Sequence, residues 1–198
     1  MTEEPLQQDT GRRRNRRSLV LIAVIAIVPM AMAYAVLYLF PQLIPKGTTN
    51  KGTLVSPAIS MDKLSDSGLR LPRGKWMLVM SAGADCDRTC NHALYLARQA
   101  NIALGKDASR VERLLLVSGN SVSQDFQDLL AREYPHMLVQ YLAAGSVQAT
   151  LGHLSSSGSL DGYIFMADPK GYVMMVYSPG NTGKDILADL KHLLGVSG

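Results

Sequence analysis

One uninterrupted apolar segment near the N-terminus constrains this chain more than any other feature. In residues 19–40, 21 of 22 are hydrophobic, and Pro29 is the exception. No charged residue occurs between Arg17 and Lys46, so the segment exceeds the roughly 20 helical residues that cross a bilayer. We therefore expect a transmembrane helix over residues 18–41, and the remaining length suits one domain of ordinary size.

The charges on either side of this segment predict its orientation. Five arginines precede it within residues 1–17, whereas only Lys46 and Lys51 follow it closely. By the positive-inside rule, the arm 1–17 is cytoplasmic and the later residues are periplasmic, with the helix in a bacterial inner membrane. A cleaved signal peptide is the alternative, because residues 31–33 (AMA) fit a small-residue cleavage site. Residues 36–40 continue the apolar run beyond that site, which favours a retained anchor.

The composition beyond the apolar segment bounds the possible partners. Residues 42–72 show little periodicity and predict a linker that leads into a domain at 73–198, with a short strand near 53–56. From residue 46 onward, 15 Lys and Arg face 13 Asp and Glu. This near balance, without a basic stripe of interleaved aromatic residues, argues against nucleic acid as a partner. Two cysteines are too few for a disulfide-stapled mini-protein.

The domain alternates between short apolar runs, typical of buried strands, and amphipathic segments, typical of helices. The predicted strands are residues 76–80, 111–117, 137–142, 163–167 and 172–177. The predicted helices are residues 87–104, 122–134, 146–154 and 182–194. A tight turn at 168–171 (DPKG) joins the last two strands into an antiparallel hairpin. This order predicts an α/β fold, a thioredoxin-like mixed sheet with flanking helices.

The two cysteines, Cys86 and Cys90, fall where the first predicted strand of this series ends and the first helix begins. The positive end of a helix stabilises a thiolate at Cys86, which Asp85 and Asp87 oppose. Cys90 lies one turn further, about 5–6 Å away between Cβ atoms. The pair can therefore cycle between dithiol and disulfide, or offer two thiolates to a soft metal such as Cu(I). A purely structural disulfide is the alternative.

Four short segments carry a resemblance to a known family. They are residues 74–79 (GKWMLV), 86–90 (CDRTC), 95–99 (YLARQ) and 168–171 (DPKG). Together they resemble membrane-anchored, Sco-like thioredoxin-fold proteins, a group associated with cytochrome c oxidase assembly in proteobacteria. The resemblance implies that Cys86 and Cys90 take the place of the Sco cysteine pair. That pair, with a histidine, delivers copper to the CuA site or keeps the cysteines of that site reduced.

The same resemblance implies partners and a third copper ligand. The partners are the inner membrane and a respiratory oxidase subunit or its copper chaperone. The Sco histidine lies in the loop before the hairpin, which here reads SLDG at 159–162, and thioredoxins have a cis-proline in that loop. No proline occurs between Pro135 and Pro169, and His153 is the nearest histidine and the candidate ligand. A surface histidine is the alternative interpretation of His153.

These observations predict a membrane-tethered periplasmic assembly factor for a cytochrome c oxidase. Its CxxxC dithiol, Cys86 and Cys90, would handle copper or reduce client thiols. A general thiol–disulfide oxidoreductase of the anchored thioredoxin type is one alternative. A non-catalytic domain with a structural disulfide is the other, so the sequence leaves open whether the protein is an enzyme.

Overall fold

The N-terminal part of the chain is a long helix. The computed structural model describes residues 8–39, 49–67, 69, 71–156 and 158–196. Helix α1 (Gln8–Leu39) belongs to the first of two compact units, Met1–Thr48. Its segment Arg16–Leu39 has 24 residues, is apolar enough to cross a membrane and has exposed side chains. At 1.5 Å per residue it spans about 36 Å, which exceeds the ~30 Å of a bilayer core.

The predicted transmembrane span is described over most of its length. Helix α1 begins at Gln8, inside the predicted cytoplasmic arm, and contains Pro29. The last two residues of the predicted span, 40–41, lie outside the described residues, as does the first part of the predicted linker, 42–48.

The second unit, Thr49–Gly198, contains a six-stranded mixed sheet with helices on both faces. Its strands are β1 (Thr53–Ser60), β2 (Trp76–Ala82), β3 (Val111–Ser118), β4 (Leu138–Leu142), β5 (Ile164–Ala167) and β6 (Tyr172–Tyr177). Its helices are α2 (Arg88–Ala103), α3 (Gln124–Glu133), α4 (Ser146–Leu151) and α5 (Gly183–Val196). Short 3-10 helices occur at Met61–Ser67, Gly105–Arg110 and Gly152–Leu154.

The strand order is β1-β6-β5-β2-β3-β4. Strands β2, β3 and β4 are parallel, because α2 and α3 return the chain to the same edge of the sheet each time. Strand β5 pairs antiparallel with both β2 and β6, and β6 pairs antiparallel with β1. The predicted α/β fold, a mixed sheet with flanking helices, is confirmed.

Strand β2 lies in the middle of the sheet, and all seven of its residues are buried. Because successive side chains of a strand point to opposite faces, β2 contributes to two cores. Leu78 and Met80 pack with buried residues of α2, α3 and α5 in the first core. Met77 and Val79 pack with α4 and the 3-10 helix Met61–Ser67 in the second core. The uninterrupted apolar run in the sequence therefore reflects burial on both sides.

The edge strand β1 is longer than the sequence indicates. A short strand was expected near residues 53–56, whereas β1 continues to Ser60 and pairs along β6, with an irregularity between Leu54 and Ile59. Most of its residues are exposed or half-buried, as is usual for an edge strand. The alternation of hydrophobic and polar residues that predicts a strand from sequence is consequently weak in β1.

Candidate functional site

The cysteine pair lies at the carboxyl end of the central strand β2, where α2 begins. Asp87 is the N-cap residue of α2, and its carboxylate accepts a hydrogen bond from the backbone N–H of Cys90 at 2.7 Å. Aspartate is favoured at this position because its side chain satisfies an amide that has no partner inside the helix. Asp87 therefore sets the start of the helix between the two cysteines.

Cys86 and Cys90 form a disulfide with a Cα–Cα distance of 5.3 Å. Cys90 is 3% exposed and belongs to the first core, whereas Cys86 is half-buried and packs against the edge of that core. The two cysteines thus differ in access from solvent. Cys86 is the one that an incoming molecule reaches first, and Cys90 is sheltered behind it.

The loop before β5 packs directly on the CxxxC motif. Gly162 in this loop has φ +77°, and a Cβ placed on it would collide with Cγ2 of Thr89, a residue between the two cysteines. The same Cβ would lie 3.1 Å from Cγ of Pro179, in the segment that joins β6 to α5. Two loops that are distant in sequence from the cysteines therefore border the motif.

Two further hydrogen bonds hold neighbouring segments against the end of β2. The backbone N–H of Ser123, the N-cap residue of α3, donates to the carbonyl of Ala84 at 2.8 Å. The Ser81 hydroxyl donates to the carbonyl of Leu160 at 3.4 Å. The turn that carries Cys86 is thereby connected to the loops that precede α3 and β5.

Acidic residues flank Cys86, and a basic residue follows them at the start of α2. Asp85 and Asp87 flank Cys86 and are exposed, while Arg88 follows as the first residue of α2 and is exposed as well. The residues just before α2 are therefore negatively charged, whereas the first residue of α2 is positively charged.

The donor set for a metal at this site consists of the two cysteines. In the described part of the chain, no group of three or more His, Cys, Asp and Glu side chains is arranged to hold a metal ion. His153 follows α4, whose buried residues belong to the second core, whereas Cys90 belongs to the first. His153 instead lines a cleft with β1 residues such as Pro57. The structure brings Cys86 and Cys90 together and does not group His153 with them.

Sequence reasoning missed the residues that surround the pair. Thr89 lies inside the motif, but nothing local indicates that it contacts Gly162 and Pro179. The Asp161-Gly162 dipeptide is a turn signal, since glycine accepts a positive φ, and it identifies the turn without identifying its neighbour.

Comparison with protein families assigns the domain. A family model described as "Transmembrane-like, thioredoxin-like, C-terminal domain" matches residues 76–197. The chain belongs to this transmembrane-like, thioredoxin-like family. A comparison with curated proteins yields no match.

Several solved structures are similar to this family member at low sequence identity. Yeast Sco1 matches with a TM-score of 0.50 and 12% identity, over 63% of this chain and 82% of that one. Copper-bound ScoI of Bradyrhizobium japonicum matches with a TM-score of 0.44 and 18% identity, over 61% and 86% of the two chains. A secreted disulfide oxidoreductase of Mycobacterium tuberculosis matches with a TM-score of 0.45 and 12% identity, over 61% and 84%. The expected resemblance to Sco-like proteins with a thioredoxin fold is confirmed at the level of the fold.

Proposed function

We propose that this family member is a membrane-tethered assembly factor whose Cys86–Cys90 pair reduces the cysteines of a client protein. The observation that carries the proposal is the asymmetry of the pair at the start of α2. Cys86 is half-buried and precedes the cap residue, while Cys90 is buried in the first turn. A helix N-terminus stabilises a thiolate, and a sheltered second thiol one turn away is positioned to resolve a mixed disulfide.

The exchange proceeds in two steps from the reduced pair. The Cys86 thiolate attacks one sulfur of a client disulfide, the client S–S bond breaks, and the other client sulfur leaves as a thiolate that takes up a proton. The Cys90 thiolate then attacks the Cys86 sulfur, which forms the internal disulfide and releases the second client thiol. Two electrons pass from the pair to the client. A dithiol reductant of the same compartment returns the pair to its reduced form.

Copper handling is a second function that the pair supports. After reduction, Cys86 and Cys90 offer two thiolates on adjacent turns, and thiolate sulfur is a soft ligand suited to Cu(I). Copper would be cargo that passes to the client. The donor set fits two-coordinate binding by the cysteines, and a third-ligand role for His153 stays a prediction.

The proposed client is a cytochrome c oxidase subunit or its copper chaperone, a proposal that rests on the sequence resemblance to Sco-like proteins. We place the arm 1–17 in the cytoplasm and the span 18–41 in the inner membrane. The residues that follow, 42–198, which include the unit Thr49–Gly198, are then periplasmic. The five arginines before the apolar segment support this orientation, and the periplasm permits a disulfide.

Trapping of the mixed disulfide in cells tests the proposed reaction. Cys90→Ser keeps the attacking thiol and removes the resolving one, so the complex with the client accumulates. Cys86→Ser is the matched control because it makes the same substitution but removes the attacking thiol. We expect a reduction-sensitive covalent complex with an oxidase subunit or its copper chaperone for Cys90→Ser only. Trapping of many unrelated proteins would favour a general oxidoreductase, and no complex at all would contradict the proposal.

Two measurements on the full chain in neutral detergent separate the remaining alternatives. The reduction potential of the pair should lie within the range of active dithiols, about −120 to −270 mV. A value below about −300 mV without copper binding would instead identify a structural disulfide. Anaerobic titration with Cu(I) should show binding that Cys86→Ser abolishes if copper is cargo. Retention of that binding in His153→Ala would exclude His153 as a required ligand.

A further inference from the structure

A groove lined by basic and aromatic side chains extends along α2, away from the cysteine pair. Its volume is about 520 Å³, and it lies between α2 and the end of α3. The α2 side chains that line it recur every three or four residues and therefore share one face of the helix. They are Arg88, Asn91, His92, Tyr95 and Arg98. Because Arg88 lies between the two cysteines in sequence, the groove starts within the CxxxC motif.

The positive charge along this groove is incompletely neutralised. Arg88 is exposed and forms no salt bridge within the described part of the chain. Arg98 Nη1 lies 3.3 Å from Glu133 Oε2, but Glu133 Oε1 also lies 3.3 Å from Arg132 Nε. One carboxylate thus serves two guanidinium groups, and among the described residues Glu133 is the one carboxylate that lines the groove.

A buried arginine, Arg113, interacts electrostatically with two side chains that line the groove, Arg98 and Tyr134. Arg113 on β3 is 8% exposed, and its Nη1 has no hydrogen-bond partner among the described residues. Burial, followed by the charge of Arg98, lowers the pKa of Arg113. Its sequence neighbour Glu112 forms a salt bridge with Lys75, in which 2.5 Å separates Oε1 from Nζ. An anionic group bound in the groove would reduce the repulsion between Arg98 and Arg113.

The aromatic side chains make the groove suitable for a polypeptide. Tyr95 is 50% exposed, although it lies in the middle of α2. The Tyr134 ring centroid lies 5.8 Å from Cζ of Arg98, a cation–π contact, and its hydroxyl donates to Asn91 Oδ1 at 3.5 Å. Leu129 of α3 adds apolar surface. The groove can therefore contact the apolar and aromatic side chains of a bound peptide as well as its charged groups.

We propose that this groove binds an extended, acidic segment of the client protein next to the client's reactive cysteine. The inference rests on the proposed function, because the bound segment would deliver its cysteine to Cys86. Arg88 and Arg98 are ten residues apart in a helix, or about 15 Å, which corresponds to about five residues of extended peptide. Asp85 and Asp87 precede the helix and repel carboxylates there. The acidic residues of the client therefore lie along α2.

Binding of cysteine-free peptides to the full chain in neutral detergent tests this proposal. The peptides are fluorescent nonapeptides with Ser in place of the client cysteine, followed by five residues rich in Glu, Gln or Lys. We expect the Glu peptide to bind about tenfold more tightly than the Gln peptide at low salt, and salt to remove most of this difference. Fluorescence anisotropy gives the dissociation constants.

Two variants with the same charge change provide the control. Arg88→Glu should weaken binding of the Glu peptide by about tenfold or more, and Arg88→Lys should restore most of it. Lys170→Glu lies in the hairpin turn, at the opposite end of the sheet from the cysteines, and should leave binding within about twofold because its charge is screened at that distance. Equal affinity for the Glu and Gln peptides, or an equal loss in Lys170→Glu, would overturn the proposal.

The outcome is independent of the redox chemistry. Because the peptides lack cysteine, binding should persist in the Cys86→Ser/Cys90→Ser variant. Charge-selective binding without disulfide exchange would contradict the proposed function and leave the groove assignment intact. Disulfide exchange without charge-selective peptide binding would support the proposed function and contradict the groove assignment.

Discussion

Thr89, inside the CxxxC motif, contacts the loop that precedes β5. Its methyl group occupies the space that a side chain at position 162 would need, and Gly162 has φ +77°. The loop before β5 therefore cannot supply a ligand from position 162 while Thr89 keeps its place. Position 162, where this loop contacts the CxxxC motif, therefore carries no side chain.

Substitution of Gly162 tests this contact. Gly162→Ala should lose about 1–2 kcal/mol from the positive φ and a further ~1–3 kcal/mol from the collision with Thr89. Gly158→Ala is the matched control, because Gly158 has φ +76° and open space around its Cβ position. Urea unfolding followed by the fluorescence of Trp76, the single tryptophan, gives the free energies. Thr89→Ala should remove most of the excess loss, and equal losses in both glycine variants would contradict the contact.

At the scale of elements, α5 forms hydrogen bonds with the segment that precedes β1. Asp189 of α5 is 5% exposed, and its carboxylate accepts hydrogen bonds from the backbone N–H groups of Lys51 and Gly52 at 2.8–2.9 Å. It also accepts one from the Tyr177 hydroxyl at 2.9 Å. A Cβ on Gly52 would lie 2.7 Å from Cε1 of Tyr177, so glycine allows the close approach. A buried carboxylate thus joins α5, β6 and the start of the domain.

Removal of the Tyr177 hydroxyl should weaken this junction in a pH-dependent way. Tyr177→Phe should cost about 1–3 kcal/mol at neutral pH, whereas Tyr172→Phe, at an exposed site on the same strand, should cost little. Burial and the negative Asp189 raise the pKa of Tyr177 far above its usual value. Since the unfolded tyrosine loses its proton first, the stabilisation is complete below about pH 10 and declines above it.

Urea unfolding at neutral pH and above pH 10 measures this effect. The stability difference between the wild type and Tyr177→Phe should narrow as the pH rises. A difference that stays constant to pH 11, or an equal loss in Tyr172→Phe, would contradict a buried, protonated Tyr177.

For the molecule as a whole, the distribution of charge along the chain predicts on which side of the membrane the Cys86–Cys90 pair lies. Five arginines lie before the apolar segment, and arginine-rich flanks favour the cytoplasmic side. The rest of the chain is almost neutral, so its charge does not oppose export. The arm contains five arginines and three acidic residues, so it contributes +2 of the formal net charge of +4.

Labelling of cysteines in intact spheroplasts tests the orientation. After mild reduction, a membrane-impermeant maleimide should label Cys86 without permeabilisation, because the domain is expected outside the cytoplasm. The control carries Cys86→Ser and Cys90→Ser together with Thr10→Cys in the basic arm, and it should be labelled only after permeabilisation. The reverse pattern would show that the N-terminus is exported.

Features that depend on local sequence were predictable. The all-apolar β2 run marks a strand buried on both faces, and the DPKG turn marks the hairpin, where Asp168 Oδ1 accepts from the backbone N–H groups of Lys170 and Tyr172 at 3.0 and 2.8 Å. The position of the cysteines at a strand–helix junction followed from the same patterns. The full length of β1 did not, because an edge strand has little hydrophobic alternation.

The sequence by itself determined the apolar span, the order of strands and helices and the spacing of Cys86 and Cys90, because periodicity, capping and turn chemistry act over a few residues. Only the tertiary structure decided what surrounds the pair. It placed Gly162 and Pro179 against Thr89, grouped no histidine with the two cysteines among the described residues, and arranged α2 and α3 into a basic groove. These relations depend on packing between segments that are distant in the chain, and no local pattern encodes which segments meet.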